Sequence, residues 1–276
     1  MQLSDEMFLS LLEKTLIDYH RAEKGEYRPL TFGKLGWKQK LLLPLNRLLL
    51  RKDYVICKYI KPDMKKRSLG ADWPSYADTM IGLKRLQNIR FCIEDTVRQG
   101  IEGDLIETGV WRGGATIFMR AVLKVLGVED KKVWVADSFE GLPKPDEEKY
   151  IHDKGDKHYT EDALKVSMEE VKCNFSKYDM LDNQVSFLKG WFKDTLPSAP
   201  IDKLSVLRLD GDMYESTMDG LVNLYPKLSK GGYIIIDDYG AIKSCRQAVE
   251  DYRQQNGIKE DIMNVDWSCV FWKKMQ

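Results

Sequence analysis

The sequence predicts an α/β fold in which a mostly parallel sheet is closed by a C-terminal antiparallel hairpin and preceded by an N-terminal helical extension. Five short apolar runs alternate with helical patterns, which is typical of parallel strands covered by helices on both faces. Two further strand-like runs, 262–266 and 268–273, lie so close in sequence that they predict an antiparallel hairpin. The 276 residues carry 43 Lys+Arg and 43 Asp+Glu, and the mean hydropathy is −0.42. These figures indicate a globular chain and argue against a disordered or polytopic membrane protein.

Residues 1–71 are predicted to form the helical extension. Apolar residues at helical spacing over 5–20 predict a helix with one buried face. After a turn-rich patch at 24–36, the basic, leucine-rich segment 37–59 has the pattern of an amphipathic helix. Such a helix would cover a partner subunit, cap its own domain or lie on a membrane surface, and packing or homo-oligomerisation is the favoured interpretation.

Charge is unevenly distributed along the chain. Residues 28–67 hold twelve basic side chains against Asp53 and Asp63, so this stretch carries +10 and the remainder −10. We expect the basic stretch to serve oligomer contacts, peripheral membrane contact or an anionic acceptor, and not the chemistry of the site.

The five cysteines are scattered without metal-like spacing, and no secretion signal or membrane span is visible, so a reducing, cytoplasmic location is expected.

Residues 72–276 are predicted to form the domain that carries the site. Strands are predicted where the chain is apolar, and helices where apolar residues recur at helical spacing. The predicted strands are 104–110, 132–139, 185–189, 204–209 and 233–236, followed by the hairpin strands. The predicted helices are 77–99, 115–126, 161–178, 216–228 and 244–255.

The first strand ends in an acid followed by a glycine-rich turn. Open α/β sheets bind ligands outside the carboxyl ends of their strands, where Glu107 stands before Gly109, Gly113 and Gly114. Glycines let the backbone approach a ligand closely, but a carboxylate there would repel phosphate and attract a cation. S-adenosylmethionine, with a sulfonium and an ammonium group, meets this demand. The alternative is a glycine-rich connector that binds nothing.

Acids also end three later strands. Asp137 follows the second strand, at a point where a carboxylate accepts hydrogen bonds from ribose hydroxyls. Asp210 ends the fourth strand, and Asp237 and Asp238 end the fifth. If these two strands are neighbours, the three carboxylates gather at one edge and need a counterion, for which Mg²⁺ is the usual choice with oxygen ligands alone. Loop-capping aspartates on solvated strand ends are the alternative.

Five motifs in order resemble the macrocin O-methyltransferase family, over about residues 72–272. A sheet closed by such a hairpin is also typical of the class I methyltransferase variant of the Rossmann-like fold. The segment 24–67 has no counterpart in the resemblance. The motifs are DLIETGVWRGGATIFMRAVL (104–123), ADSFEGLPKPD (136–146), GWFKDTLP (190–197), LRLDGDMYESTMD (207–219) and IIDDYGA (235–241).

The resemblance implies an S-adenosylmethionine- and Mg²⁺-dependent sugar O-methyltransferase. It assigns the metal to Asp210, Asp237 and Asp238, with Asp210 also as the base. It places contacts to the cofactor on both strand ends, on the helix before the first strand and near the adenine. Those cofactor residues are Thr79, Met80, Glu107, Thr108, Gly109, Asp137, Ser138, Phe139 and Trp191.

The leading hypothesis is methyl transfer to a hydroxyl of a vicinal diol on a glycosylated natural product or glycan. Methylation of a catechol-like diol and a non-catalytic nucleoside-binding scaffold are the alternatives, and no nucleic-acid partner is expected. The long connection 143–160 is predicted to be an active-site lid. It contains His152, a candidate for proton transfer, and His158; a solvated loop histidine is the alternative.

Overall fold

The structure is a computed structural model that describes residues 2–30 and 36–276. Residues 31–35 of the basic stretch 28–67 and of the turn-rich patch 24–36 therefore lie outside the described residues. Where the chain is described, eleven α-helices and nine β-strands follow one another in sequence, with short 3-10 helices between some of them.

The main sheet of the described residues has seven strands. Its strands are β3 Asp104–Thr108, β4 Val133–Asp137, β5 Val185–Lys189, β6 Leu204–Leu209, β7 Leu228–Ile236, β8 Met263–Asn264 and β9 Val270–Lys273. They lie in the order β5-β4-β3-β6-β7-β9-β8. Strands β3 to β7 run parallel, whereas β9 is antiparallel to both β7 and β8. The predicted fold, a parallel sheet closed by an antiparallel hairpin, is confirmed.

Helices cover both faces of this sheet and also build most of the N-terminal extension. Their bounds are α1 Leu3–Leu16, α2 Tyr19–Ala22, α3 Trp37–Lys40, α4 Leu43–Leu50, α5 Met64–Leu69, α6 Leu83–Arg98, α7 Gly114–Val125, α8 Met168–Lys177, α9 Phe192–Thr195, α10 Tyr214–Leu224 and α11 Lys243–Gln255. Two helices begin later in the structure than the sequence predicts, namely those predicted over 77–99 and 161–178. Helix α6 begins only after Gly82, and Ser167 caps α8 by accepting a hydrogen bond from the Glu170 amide at 3.1 Å.

Two apolar cores form because successive residues of a strand face opposite sides of the sheet. Leu105 packs into the core shared with α1, α6 and α7, whereas the next residue, Ile106, packs into the core shared with α10 and α11. Every residue of β6 is buried. The central strands therefore hold their carboxyl ends in fixed positions.

The N-terminal extension is partly helical, as predicted, but its basic segment differs from the prediction. The pattern over 37–59 predicts one amphipathic helix, whereas α4 ends at Leu50 and the chain turns at Asp53, whose φ is 62°. The last residues of the segment enter strand β2 (Cys57–Ile60), which pairs antiparallel with β1 (Glu26–Pro29). The prediction of a continuous helix was wrong because cross-strand pairing outweighs the helical spacing of the leucines.

Helix α1 and helix α4 are packed very differently. The apolar stripe of α1 is buried in the core next to α7, through Leu9, Leu12 and Leu16. Leu45 and Leu48 of α4 are half exposed, and Asn46 is the residue of that helix which is buried. None of the helices in the described ranges is long and apolar enough to cross a membrane.

The turn after β3 passes against the end of β6 with no room for a side chain. Gly109 has φ 84°, and a Cβ built on it would lie 1.8 Å from the carbonyl oxygen of Asp210. We expect Gly109→Ala to lower the free energy of unfolding by about 2 kcal/mol or more, measured by chemical denaturation.

Gly127→Ala is the matched control for this change. Gly127 has φ 66°, but no atom lies within 4 Å of an added Cβ, so this variant should lose only about 1 kcal/mol from its backbone conformation. Equal losses in the two variants would contradict the steric explanation.

Candidate active site

The acid-bearing strand ends meet at one edge of the sheet. Strand β3 lies between β4 and β6, so the chain leaves it at the switch point where such sheets bind ligands. The Asp210 amide donates to the Thr108 carbonyl oxygen at 2.9 Å, and the Asp237 amide donates to the Leu209 carbonyl oxygen at 2.9 Å. The expectation that these strands are neighbours is therefore confirmed.

A cavity of about 390 Å³ lies above these strand ends. Its walls come from the strand ends, from α10, from the loop before α6 and from the connection after β4. Thr79, Met80, Glu107, Gly109, Asp137, Ser138 and Trp191 all line it. The resemblance placed Thr79 and Met80 on the helix before the first strand, but they belong to the loop before α6, which begins at Leu83. Thr108 and Phe139 are buried behind the wall.

Three of the carboxylates that line the cavity form a compact cluster. Asp210, Asp237 and Asp238 each offer an oxygen, and these oxygens lie within 4.8 Å of one another. Burial, together with the neighbouring Asp212 and Asp210 carboxylates, raises the pKa of Asp238 well above its ordinary range. Burial and Asp237 also raise the pKa of Asp210. Such a cluster is stabilised by positive charge.

Part of that charge comes from Arg208, which the sequence analysis did not single out. Its side chain is fully buried within β6 and donates hydrogen bonds to Glu107, Asp210 and Asp237, with 2.8 Å between its Nη1 and Asp210 Oδ2. An arginine inside an otherwise apolar strand is the signal that would have revealed it, because a buried cation requires acidic partners.

A second arginine approaches the cluster from helix α6. Arg85 donates to Asp237 Oδ2 at 2.5 Å and to Asp266 Oδ2 at 2.8 Å, and its guanidinium lies 5.3 Å from the ring centroid of Trp267. Both oxygens of Asp237 are therefore engaged by arginines. The acids at this edge still outnumber the two cations.

Glu107 keeps one oxygen without a protein partner. Its Oε1 accepts from Arg208, whereas its buried Oε2 has no hydrogen-bond partner among the described residues. Burial raises the pKa of the Glu107 carboxyl to about 8, although the Arg208 guanidinium opposes this shift. A cationic donor placed in the cavity would satisfy Oε2 and hold the carboxylate in its charged form.

Asp137 holds two turns of the cavity wall together. Its Oδ2 accepts from the Val110 amide at 2.8 Å, and its Oδ1 accepts from the Phe139 amide at 2.8 Å. Burial raises the pKa of Asp137 and these backbone donors oppose the rise. Because each carboxylate oxygen has a second lone pair, Asp137 is still able to accept hydrogen bonds from a ligand.

The connection 143–160 is anchored over the cavity by Asp153. The Asp153 carboxylate caps α10, accepting from the Tyr214 amide at 2.7 Å and from the Glu215 amide at 3.0 Å.

His152 is exposed and stacks on the Tyr214 ring, with 5.0 Å between the ring centroids, outside the cavity wall. His158 lines the cavity, and its Nδ1 lies 2.7 Å from Asp156 Oδ2. Of the two histidines, His158 is therefore the one that faces the site.

The sequence suggests Asp212 only as a cap for the following turn or helix, outside the metal ligands, but Asp212 also belongs to this edge of the sheet. It lines the cavity, its φ is 61°, and its amide donates to Asp238 Oδ2 at 3.3 Å. Burial and the Asp210 carboxylate raise its pKa to about 7. The signal was present in the sequence, since Asp212 follows Asp210 by two residues.

Comparison with known protein families identifies the kind of enzyme to which this cavity belongs. A model of the macrocin O-methyltransferase (TylF) family matches residues 5–274. The chain belongs to this family. It is an S-adenosylmethionine-dependent O-methyltransferase, as the resemblance implied. The family match includes residues 24–67, so the expectation that this segment has no counterpart in the family was wrong.

Several known O-methyltransferases are similar to this chain over most of its length. A tetracenomycin rhamnosyl 4'-O-methyltransferase of Streptomyces olivaceus is 54% identical over 214 residues, which are 77% of this chain and 82% of that protein. Demethyldecarbamoylnovobiocin O-methyltransferase of Streptomyces niveus is 54% identical over 209 residues, 75% of this chain and 80% of that protein. The solved structure of the O-methyltransferase NovP is 44% identical, covers 99% of this chain and 100% of its own, and superposes with a TM-score of 0.84.

Proposed function

We propose that this enzyme transfers a methyl group from S-adenosylmethionine to a hydroxyl of a vicinal diol on the sugar of a glycosylated natural product or glycan, with Mg²⁺ bound at the site. The observation that carries the proposal is that Glu107, Asp137 and the three-aspartate cluster all line one cavity. The Streptomyces olivaceus relative is a 4'-O-methyltransferase of a rhamnosyl tetracenomycin, which supports a sugar as acceptor.

The proposed cofactor suits the residues that would hold it. Glu107 Oε2 is a buried acceptor that has no protein donor in the described chain, and the ammonium of S-adenosylmethionine would supply one. Asp137 would accept from the ribose hydroxyls, and Trp191 would pack near the adenine. Gly109 lets the adjoining turn pass against the carbonyl oxygen of Asp210, where a Cβ would lie 1.8 Å away.

The proposed metal suits the aspartate cluster. Asp210, Asp237 and Asp238 offer only oxygen ligands, which favours a hard cation such as Mg²⁺. Their partial neutralisation by Arg208 and Arg85 leaves negative charge for a divalent ion to balance. When bound, S-adenosylmethionine would supply the electrophilic methyl group, and Mg²⁺ would lower the pKa of the acceptor hydroxyl.

The chain's own residues then orient the reactants and take the proton. The three aspartates would fix a chelating diol in line with the methyl group, and alignment of this kind provides much of the acceleration. We propose Asp210 as metal ligand and base, as the family resemblance implied. Asp212 is the second candidate for the base, because it accepts no hydrogen bond from Arg208, whereas Asp210 Oδ2 does.

A histidine would help to remove the proton from the site. His152 was the predicted residue, but its exposed position over Tyr214 leaves it outside the cavity wall. We therefore propose His158 for this role, oriented by Asp156. The assignment of this role to His152 stays an untested prediction.

Isothermal titration with S-adenosylmethionine, with and without Mg²⁺, tests the cofactor part of the proposal. We expect binding in both cases, because the proposed contacts to the cofactor come from the protein and not from the metal. Turnover of diol-bearing glycosides with labelled cofactor should require Mg²⁺ and should stop when EDTA is added. Absence of cofactor binding would overturn the proposed function, and turnover that survives EDTA would overturn the metal assignment.

The predicted homo-oligomer, peripheral membrane contact and cytoplasmic location stay predictions. Leucines of α4 are half-exposed and Trp37 is exposed in a segment rich in basic residues, which would suit either a second copy or an anionic membrane. Light scattering and vesicle co-sedimentation with the full chain would decide between the two.

A further inference from the structure

One residue of the basic stretch is buried against the wall of the cavity. Arg67, in α5, is 1% exposed, although its neighbours Lys65 and Lys66 are exposed to solvent. Its Nη2 donates to the carbonyl oxygen of Met80 at 2.6 Å and to that of Ile81 at 3.1 Å. A buried guanidinium is costly to leave unpaired, so these two hydrogen bonds and an acidic neighbour indicate a fixed position.

The third partner of Arg67 is also part of the cavity wall. Arg67 Nη1 lies 3.2 Å from Asp72 Oδ1, and Asp72 lines the cavity. Burial lowers the pKa of Arg67, and Asp72 opposes that shift. The guanidinium therefore connects two separate segments of the wall, 72 and 80–81, through a planar group that a lysine ammonium does not reproduce.

Helix α5 also meets the start of α6 backbone to backbone. A Cβ on Gly82 would lie 2.2 Å from the Ser68 carbonyl oxygen, and a Cβ on Gly70 would lie 2.5 Å from the Gly82 amide nitrogen. The two segments thus approach more closely than any side chain would permit. A displacement of α5 would be transmitted directly to the residues just before α6.

The loop held by Arg67 is supported from its other side by helix α1. The amides of Asp78 and Thr79 donate to the Leu16 carbonyl oxygen at 2.9 and 3.3 Å, and the Gly114 amide donates to the Asp78 carbonyl oxygen at 3.0 Å. The first half of the loop is therefore fixed by α1 and α7. Its second half, at Met80 and Ile81, is fixed by Arg67.

We propose that Arg67 is a positioning residue for S-adenosylmethionine: by holding the carbonyls of Met80 and Ile81 and the carboxylate of Asp72, it sets the wall against which the cofactor binds. The inference rests on the proposed cofactor site. It also changes the expectation for the basic stretch, because this one charge serves the site and does not face a partner. The N-terminal extension thereby contributes to cofactor affinity without touching the cofactor.

The test is cofactor affinity in Arg67→Lys, measured by isothermal titration of the full chain. In Arg67 one nitrogen, Nη2, bonds both carbonyls and a second, Nη1, lies beside Asp72. A lysine keeps the charge but has one nitrogen for both positions, so we expect the affinity for S-adenosylmethionine to fall roughly tenfold. Lys66→Met, which changes the exposed neighbour on the same helix, should bind within twofold of wild type. Mn²⁺ affinity at the aspartate cluster should be unchanged in Arg67→Lys, since a general loss of structure would weaken both sites.

The outcomes separate this inference from the function on which it rests. Absence of cofactor binding by the wild type would overturn both. Normal binding by the wild type and equal binding by Arg67→Lys would overturn the inference alone, and so would a parallel loss of Mn²⁺ affinity. If Arg67→Lys does not melt like the wild type, Arg67→Gln removes the buried charge and keeps one donor group, and the same comparison applies to it.

Discussion

Replacing Asp210 by asparagine is expected to reduce methyl transfer by about a thousandfold or more, while S-adenosylmethionine affinity stays within a few-fold of wild type. The change removes one of the three clustered carboxylates and the proposed base, but leaves Glu107 and Asp137 in place on the cofactor side. Arg208 retains Glu107 and Asp237 as partners, so the fold should survive. Turnover with labelled cofactor and a glycoside acceptor, together with cofactor titration, measures both effects.

Asp212→Asn separates the two roles proposed for Asp210. If Asp210 binds the metal, Asp210→Asn should lose Mn²⁺ affinity, whereas Asp212→Asn should keep it. If Asp212 is the base, Asp212→Asn should lose turnover with the metal site intact. An Asp210→Asn enzyme that binds Mn²⁺ normally and turns over within tenfold of wild type would contradict the metal assignment.

Replacing Arg208 by methionine is expected to lower the free energy of unfolding by about 3–5 kcal/mol, the largest stability effect that we predict. The guanidinium is fully buried and bonded to Glu107, Asp210 and Asp237. Without it, the buried carboxylates must either remain charged without a partner or bind protons. Chemical denaturation of the variant measures the loss.

The pH dependence of the Arg208→Met deficit provides a check on its cause. In the folded protein, burial already raises the pKa of Glu107 to about 8 from an ordinary value of 4.5, so the folded state binds the proton more tightly than the unfolded state. Removing the arginine takes away the group that opposes this rise. The free energy of unfolding should therefore decrease as the pH rises from the ordinary pKa of 4.5 through the raised pKa of about 8. The difference in stability between wild type and Arg208→Met should be larger on the alkaline side of that range.

Two further variants test whether charge or packing is responsible. Adding Glu107→Gln to Arg208→Met removes one of the carboxylates that have lost their arginine partner, and should recover part of the lost free energy of unfolding. Arg120→Met breaks a pair whose acid, Asp182, is partly exposed, and should cost much less. A loss in Arg208→Met as small as that in Arg120→Met would contradict the interpretation.

Local patterns were sufficient for most of the fold. The predicted strands 185–189 and 204–209 coincide with β5 and β6, because short, mostly apolar segments between polar residues are typical of strands. Strand β6 is buried at every residue, whereas β5, at the edge of the sheet, is only partly buried. The pattern over 37–59 was misleading, because a strand pair between residues about thirty positions apart, such as Tyr27 and Tyr59, leaves no periodic signal in the segment itself.

The sequence by itself determined which acids end the strands, and with them the edge of the sheet where the site lies. It also carried the motifs that resemble the family to which the chain belongs. Only the tertiary structure decided which charges meet. Arg208 and Glu107 are 101 residues apart, Arg67 reaches the wall of the cavity from the N-terminal extension, and His158 faces the cavity whereas His152 does not. Strand ends follow from local periodicity, but these contacts depend on how distant segments pack.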